Sequence, residues 1–270
     1  MTTTTEEIEK IHHMPLLKGK KIVIFGVANK WSIAWAIAQS LANAGAQLAI
    51  TYIDERMEEK VRELVKTLPH HPLVLPCDVT KEDQVETVFK KIQHEFGQLD
   101  GLIHAIAFAR KEELEGSFLK TTKEGWQIAL DISAYSLITL ARAAAPLMEN
   151  TDGSIITLSY IGGKRVIPNY NVMGVAKAAL ECTVKYLAAE LGEKRIRVNC
   201  VSAGPVNTLA ARGISGFTDL LKTIGSRTPL KRNIVAEEVG DTALYLCSPL
   251  ARGVTGETIY VDAGFNIIGA

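Results

Sequence analysis

Short apolar runs rich in β-branched residues alternate along the chain with longer stretches whose apolar side chains recur every three or four positions. The strand-like runs are KIVIFG (21–26), QLAITY (47–52), LVLPCDV (73–79), GLIHAIA (101–107), SIITLS (154–159), RVNCVS (197–202) and TIYVD (258–262). Most are apolar on both faces, which is the pattern of strands buried on both sides of a parallel sheet. Between them, Ile33, Ile37 and Leu41 recur every four residues ahead of Gly45. Val85, Val88, Phe89 and Ile92 follow Thr80 and Asp83, a capping-box-like helix start. The alternation predicts one α/β domain over 19–270, doubly wound about a seven-stranded parallel sheet. No repeat or linker interrupts it, and only residues 1–18 are expected to form a poorly tied-down tail.

Composition narrows the partners. A chain of 270 residues with 47% hydrophobic content can bury a full core without disulfides or metal. Thirty basic and thirty acidic side chains cancel, so no long-range field favours nucleic acid or an anionic membrane, and a small-molecule partner is expected. Cys77, Cys182, Cys200 and Cys247 show neither redox nor zinc spacing and read as reduced packing residues. The opening MTTTTEEIEK does not resemble a signal peptide, and no later run reaches the roughly 18 apolar residues of a membrane span, so the expected location is cytoplasmic. His12 and His13 have no third ligand nearby, and no metal site is expected.

Candidate chemistry gathers where the predicted strands end. Gly26 closes the first strand, and GVANKWSIA leads straight into a helical period. A helix N-terminus at that point suits a pyrophosphate through its free N–H groups and positive dipole end. The full G-x-G-x-x-G fingerprint is absent, and Ser32 can act as an N-cap, as a phosphate donor, or as both. Asp78 can accept a hydrogen bond from an adenine amino group, or it can cap a turn.

The segment NYNVMGVAK places Tyr170 and Lys177 seven positions apart. On a helix starting at Asn171 the two would lie almost two turns apart on nearly one face, able to bracket a bound molecule. A tyrosine hydroxyl beside an ammonium is expected to have a lowered pKa and to donate to developing negative charge.

These features resemble the short-chain dehydrogenase/reductase superfamily, and within it the bacterial NADH-dependent enoyl-acyl-carrier-protein reductases. The resemblance runs over 17–269 and is carried by GVANKWSIAWAIA, CDV, LSYIGGKRVIPNYNVMGVAKAALE, RIRVNCVSAGPVNTLAA and GVTGETIYVDAGF. Ordinary superfamily members space tyrosine and lysine four apart, which here would fall on Met173, whereas the seven-residue spacing resembles the enoyl reductase form. A second tyrosine ten positions earlier in that family matches Tyr160.

The resemblance implies a Rossmann-type domain that binds NADH through several matched positions. Gly26, Ser32 and Ile33 match the phosphate turn, Asp78 and Val79 the adenine contacts, and Ala105, Ile106 and Ala107 the segment under the cofactor. Lys177 matches the ribose anchor, and Pro205 and Thr208 match the nicotinamide and phosphate side. Tyr160, Tyr170 and Lys177 would be catalytic, with Ala107, Tyr160 and Tyr170 against substrate. A small mobile flap is expected over about 205–225, with Gly213 and Gly216 as hinges. The implied substrate is an enoyl thioester on acyl carrier protein, in the last step of fatty acid elongation, and the implied assembly is a homotetramer. From 210 to 222 only Arg212 and Lys222 are basic, so this stretch does not define a docking patch for the acidic carrier. Asp131 stands where ordinary members tend to carry a catalytic asparagine. The rival readings are a short-chain carbonyl or alcohol dehydrogenase and a non-catalytic dinucleotide sensor.

Overall fold

The computed structural model describes residues 15–208 and 217–269. Seven strands form: β1 (Lys21–Phe25), β2 (Gln47–Tyr52), β3 (Leu73–Pro76), β4 (Gly101–His104), β5 (Ser154–Ser159), β6 (Arg197–Ala203) and β7 (Thr258–Val261). They make a single sheet in the order β3-β2-β1-β4-β5-β6-β7, and every pairing is parallel. All seven predicted runs are present, but β1, β3 and β4 end earlier than their apolar patterns do. The surplus residues, among them Cys77, Val79 and Ala105, stay packed against the two cores after leaving the ladder, because an apolar pattern records burial and not pairing.

Among the described residues, eight α-helices flank the sheet: α1 (Ile33–Asn43), α2 (Glu55–Val65), α3 (Glu82–Phe96), α4 (Lys123–Leu130), α5 (Ser136–Met148), α6 (Asn171–Leu191), α7 (Phe217–Arg227) and α8 (Ala236–Cys247). Alternation along β1 sorts the layers. Ile22 and Ile24 pack with Ile37 and Leu41 of α1 and Val239 and Leu244 of α8, while Val23 and Phe25 meet Val88 and Phe89 of α3, Leu140 of α5 and Leu180 of α6. Two cores on opposite faces of one sheet are the doubly wound arrangement.

Several expectations are corrected. Leu17 is fully buried and its N–H bonds to Ala44 O at 2.9 Å, so the chain is tied down before residue 18. Lys81, without a side-chain bond, precedes α3, and Thr80 instead donates its hydroxyl to Asp78 Oδ1 at 2.8 Å, so no capping box forms there. Cys182 is exposed rather than packed, because it lies on the outward side of α6. By length and composition, the continuous helix Lys123–Met148 is sufficient to cross a membrane. In this fold more than half of its most apolar stretch is buried, largely under α3 and α6. Its middle, Asp131–Tyr135, is π-helical, a distortion often found beside functional sites.

Candidate active site

One cleft of about 880 Å³ opens at the carboxyl ends of β1 through β6. Its centre is the switch point between β1 and β4, where successive connections depart to opposite sides of the sheet and a crevice must form. All thirteen residues named from the sequence line it: Gly26, Ser32, Ile33, Asp78, Val79, Ala105, Ile106, Ala107, Tyr160, Tyr170, Lys177, Pro205 and Thr208.

The floor is backbone brought close to backbone. Gly26 has φ +102, and a Cβ there would lie 2.2 Å from Ala105 O, so the turn after β1 can meet the β4 segment only through glycine. A short loop, 27–32, leads from it into α1 at Ile33. Ser32 is its N-cap, accepting from Trp35 N at 3.2 Å and donating to Asn29 O at 2.8 Å. The capping reading of Ser32 is therefore realised. The first turn of α1 contains no acidic residue, whereas α2, α3 and α8 carry Glu55, Glu82 and Glu237 in theirs. A helix end left electropositive at the mouth of a crevice fits a pyrophosphate, so the residues present suit a dinucleotide.

On the adenine side, Asp78 closes the β3 turn by accepting from Thr80 N at 3.0 Å, while remaining on the cleft wall. Asp54 is the N-cap of α2 and accepts from Arg56 N at 3.0 Å. The Arg56 guanidinium turns back onto the same carboxylate, with Nε 3.1 Å from Oδ2, and this pairing holds the Asp54 carboxyl below its ordinary value. Ile53 faces the cleft just ahead of that pair.

The opposite wall carries the tyrosines and the lysine. α6 starts at Asn171, as expected, with Tyr170 in the cap position just outside it. Lys177 is 5% exposed and donates from Nζ to Leu158 O at 2.7 Å. Burial pushes its pKa down from 10.5 to about 8, against the pull of Glu181 and Cys200. Tyr160 and Tyr170 meet edge to face, with ring centroids 5.1 Å apart. The Tyr160 hydroxyl is buried without a hydrogen-bond partner, and burial raises its pKa to about 12. An unsatisfied buried hydroxyl facing a cleft has a place for a polar atom of a ligand.

The Tyr170 hydroxyl corrects an expectation. Its pKa is raised, first by burial and then by the neighbouring Tyr160, although part of its ring faces the cleft. Lys177 is not among the groups that move it, since its ammonium is turned onto Leu158 O. The hydroxyl is built to stay protonated and donate.

The sequence reading missed the supports of these side chains. A Cβ on Gly162 would lie 2.5 Å from Tyr170 Cδ1, so this glycine makes room for the ring; the GG pair in YIGGK was its visible signal. Ser133 of the π-helical segment accepts from Phe108 N at 3.0 Å, and Ile132 lines the cleft beside it. His104, fully buried, spans Thr157 Oγ1 and Ser136 Oγ at 2.8 Å each, with its pKa pushed down to about 3 by burial. Asp131, in contrast, is exposed and outside the cleft lining. Gly213 and Gly216 of the expected flap, and His12 and His13, lie outside the described residues. Among the described residues, no three His, Cys, Asp or Glu side chains gather to hold a metal ion.

A family model for enoyl-(acyl carrier protein) reductase matches residues 26–266. The NADH-dependent enoyl-(acyl-carrier-protein) reductase of Bacillus subtilis is 54% identical over 252 residues, covering 93% of this chain and 97% of its own length. The crystal structure of the Bacillus cereus enoyl-acyl carrier protein reductase with NADP+ and indole naphthyridinone is 53% identical, with TM-score 0.93, over 95% of this chain and 100% of that one. The Anaplasma phagocytophilum enoyl-(acyl-carrier-protein) reductase, crystallised with NAD, is 48% identical, with TM-score 0.91, over 94% of this chain and 97% of that one. With its cleft, its tyrosine pair and its buried lysine in one wall, this chain belongs to the enoyl-(acyl carrier protein) reductase family.

Proposed function

We propose that this chain reduces the trans-2 double bond of enoyl thioesters on acyl carrier protein with NADH, the closing step of the fatty acid elongation cycle. The observation that carries the reading is the buried, unsatisfied Tyr160 hydroxyl set edge to face against Tyr170, with Lys177 buried behind them in the cleft wall. Bound NADH supplies the hydride for the β-carbon of the substrate. The protein's own residues do the rest. Gly26 and the first turn of α1 receive the pyrophosphate, Asp78 and Val79 flank the adenine, and Ala105 with Ile106 lies under the cofactor. Pro205 and Thr208 border the nicotinamide end, and Lys177 holds the ribose hydroxyls as an ammonium.

As hydride adds to the β-carbon, negative charge would move onto the thioester oxygen, and a proton taken from water at the α-carbon would then complete the saturated thioester. Two protonated tyrosine hydroxyls in a desolvated wall can meet that charge as preorganised donors, which is how oxyanion sites lower a barrier. Tyr170 is assigned the oxygen, and Tyr160, which borders the acyl chain with Ala107, is its second donor. The raised pKa values of both tyrosines support donation over general-base chemistry.

The decisive assay follows loss of reduced nicotinamide absorbance with crotonyl thioesters and, in parallel, with simple ketones. Turnover of the thioesters alone is expected. Turnover of ketones would favour a carbonyl reductase, and NADH binding without either reaction would favour a sensor. We also propose a homotetramer acting in the cytoplasm. Exposed large apolar side chains, with Tyr186 at 76%, Val166 at 97% and Ile267 at 72%, support the assembly, and light scattering against the monomer mass tests it.

A further inference from the structure

Behind the tyrosine pair lies a buried carboxylate that the reaction above leaves unused. Glu181 stands one helical turn after Lys177 on α6 and is 2% exposed. Its Oε1 accepts from Ser159 Oγ at 2.7 Å, and Ser159 is the last residue of β5, directly before Tyr160. Its Oε2 lies 3.2 Å from Lys164 Nζ, an ion pair without hydrogen-bond alignment, and the lysine side chain is 48% exposed. One carboxylate thus holds the Tyr160 segment on both sides, through the residue before it and the residue four positions after it.

The close fit is built in. A Cβ on Gly163 would lie 3.0 Å from Ala178 N and 3.3 Å from Glu181 Oε1, so the YIGGK loop rests closely on α6 and a side chain there would push the two apart by a few tenths of an ångström. Lys177 and Cys200 also feel the Glu181 charge, as does Tyr260. Burying a carboxylate is unfavourable, and an ion pair whose lysine stays half exposed offsets only part of that. Stability alone therefore gives little reason for a charge here, whereas a fixed loop beside the reacting oxygen does.

We propose that Glu181 is a positioning residue: through Ser159 and Lys164 it clamps the Tyr160 segment onto α6, so that the Tyr160 and Tyr170 hydroxyls reach the thioester oxygen and acyl chain in fixed register. This rests on the enoyl reductase reading of the cleft.

The test uses Glu181→Gln, Lys164→Met, the double variant and the conservative Lys164→Arg in the full chain. Amide hydrogen exchange over 160–164 is measured without cofactor, and NADH affinity, kcat and KM are measured with an enoyl thioester well below pH 8, where Lys177 keeps its proton even without the Glu181 charge beside it. Each disrupted single variant is expected to exchange about tenfold faster in that segment and to lose about fivefold or more in kcat, with NADH affinity held within about twofold. The double variant should be no worse than the worse single, because both changes break one clamp, and Lys164→Arg should retain parental values. Unchanged exchange, additive losses, or an equal fall in NADH affinity would overturn the clamp. If Glu181→Gln does not fold, Lys164→Met, at a half-exposed position, carries the test. A parent inactive on enoyl thioesters would sink the reaction assignment instead, while the exchange data would still judge the clamp.

Discussion

Replacing Lys177 by methionine removes a charge while keeping a long unbranched side chain, and the structure predicts opposite effects on stability and on cofactor binding. Burial lowers the Lys177 pKa from 10.5 to about 8, a difference of about 2.5 units, and at about 1.4 kcal/mol per unit the folded protein bears a cost of about 3 kcal/mol for holding the ammonium. Below about pH 8 folded and unfolded chains are both protonated there and the cost is borne in full. Between about pH 8 and 10.5 the unfolded chain holds a proton that the folded one has lost, so stability rises with pH, and above 10.5 the cost is gone.

Burial also raises Cys200 and Tyr160 to about 12 and raises Tyr170, which lowers stability as pH climbs past their ordinary values, but it does so in parent and variant alike and cancels in the difference between them. Denaturant unfolding of the cofactor-free parent and of Lys177→Met, at pH steps from 7 to 10.5, should therefore show the parent gaining about 3 kcal/mol on the variant. The same variant should bind NADH about ten- to hundredfold more weakly at pH 7, from loss of a charged hydrogen-bond donor. NADH affinity of the parent should weaken as pH rises past about 8, as the ammonium deprotonates. Parallel stability curves, or unaltered NADH affinity in the variant, would refute the buried-ammonium anchor.

Tyr170→Phe should slow single turnover by far less than the hundredfold expected for a sole oxyanion donor, because a second donor is assigned to the site; near-complete loss with normal NADH binding would make Tyr170 an obligatory proton donor. Gly26→Ala should abolish measurable NADH binding and destabilise the fold, because the added methyl falls 2.2 Å from Ala105 O at φ +102; calorimetry with and without NADH checks both effects. The parent should prefer NADH over NADPH by about tenfold or more in kcat/KM. Asp54→Ala should narrow that ratio by freeing Arg56 for a 2′-phosphate, and an unchanged ratio would show that the Asp54 and Arg56 pair does not select the cofactor.

Local pattern was enough to place every strand, because burial on both faces leaves an uninterrupted apolar run that chain length and turn residues delimit. Spacing also drew attention to Tyr170 and Lys177 and placed Gly26 at a turn, while the resemblance to the enoyl reductases added Tyr160 and the roles of all three side chains. What the sequence left open was decided by groups far apart along the chain. From the sequence Asp54 reads first as a repeller of a 2′-phosphate and second as favouring a helix N-terminus, and the structure shows it capping α2 with Arg56 folded onto it. Tyr170 was expected to have a lowered pKa beside Lys177, yet the fold buries its hydroxyl against Tyr160 and turns the ammonium onto Leu158 O, so the shift is upward. Glu181 looked like one more helix residue until β5 and the Tyr160 loop closed over it. A period of two or of 3.6 residues states which side of an element is buried, but the sign of a pKa and the partner of a buried charge depend on which strands lie next to which, and that is settled only when the sheet assembles.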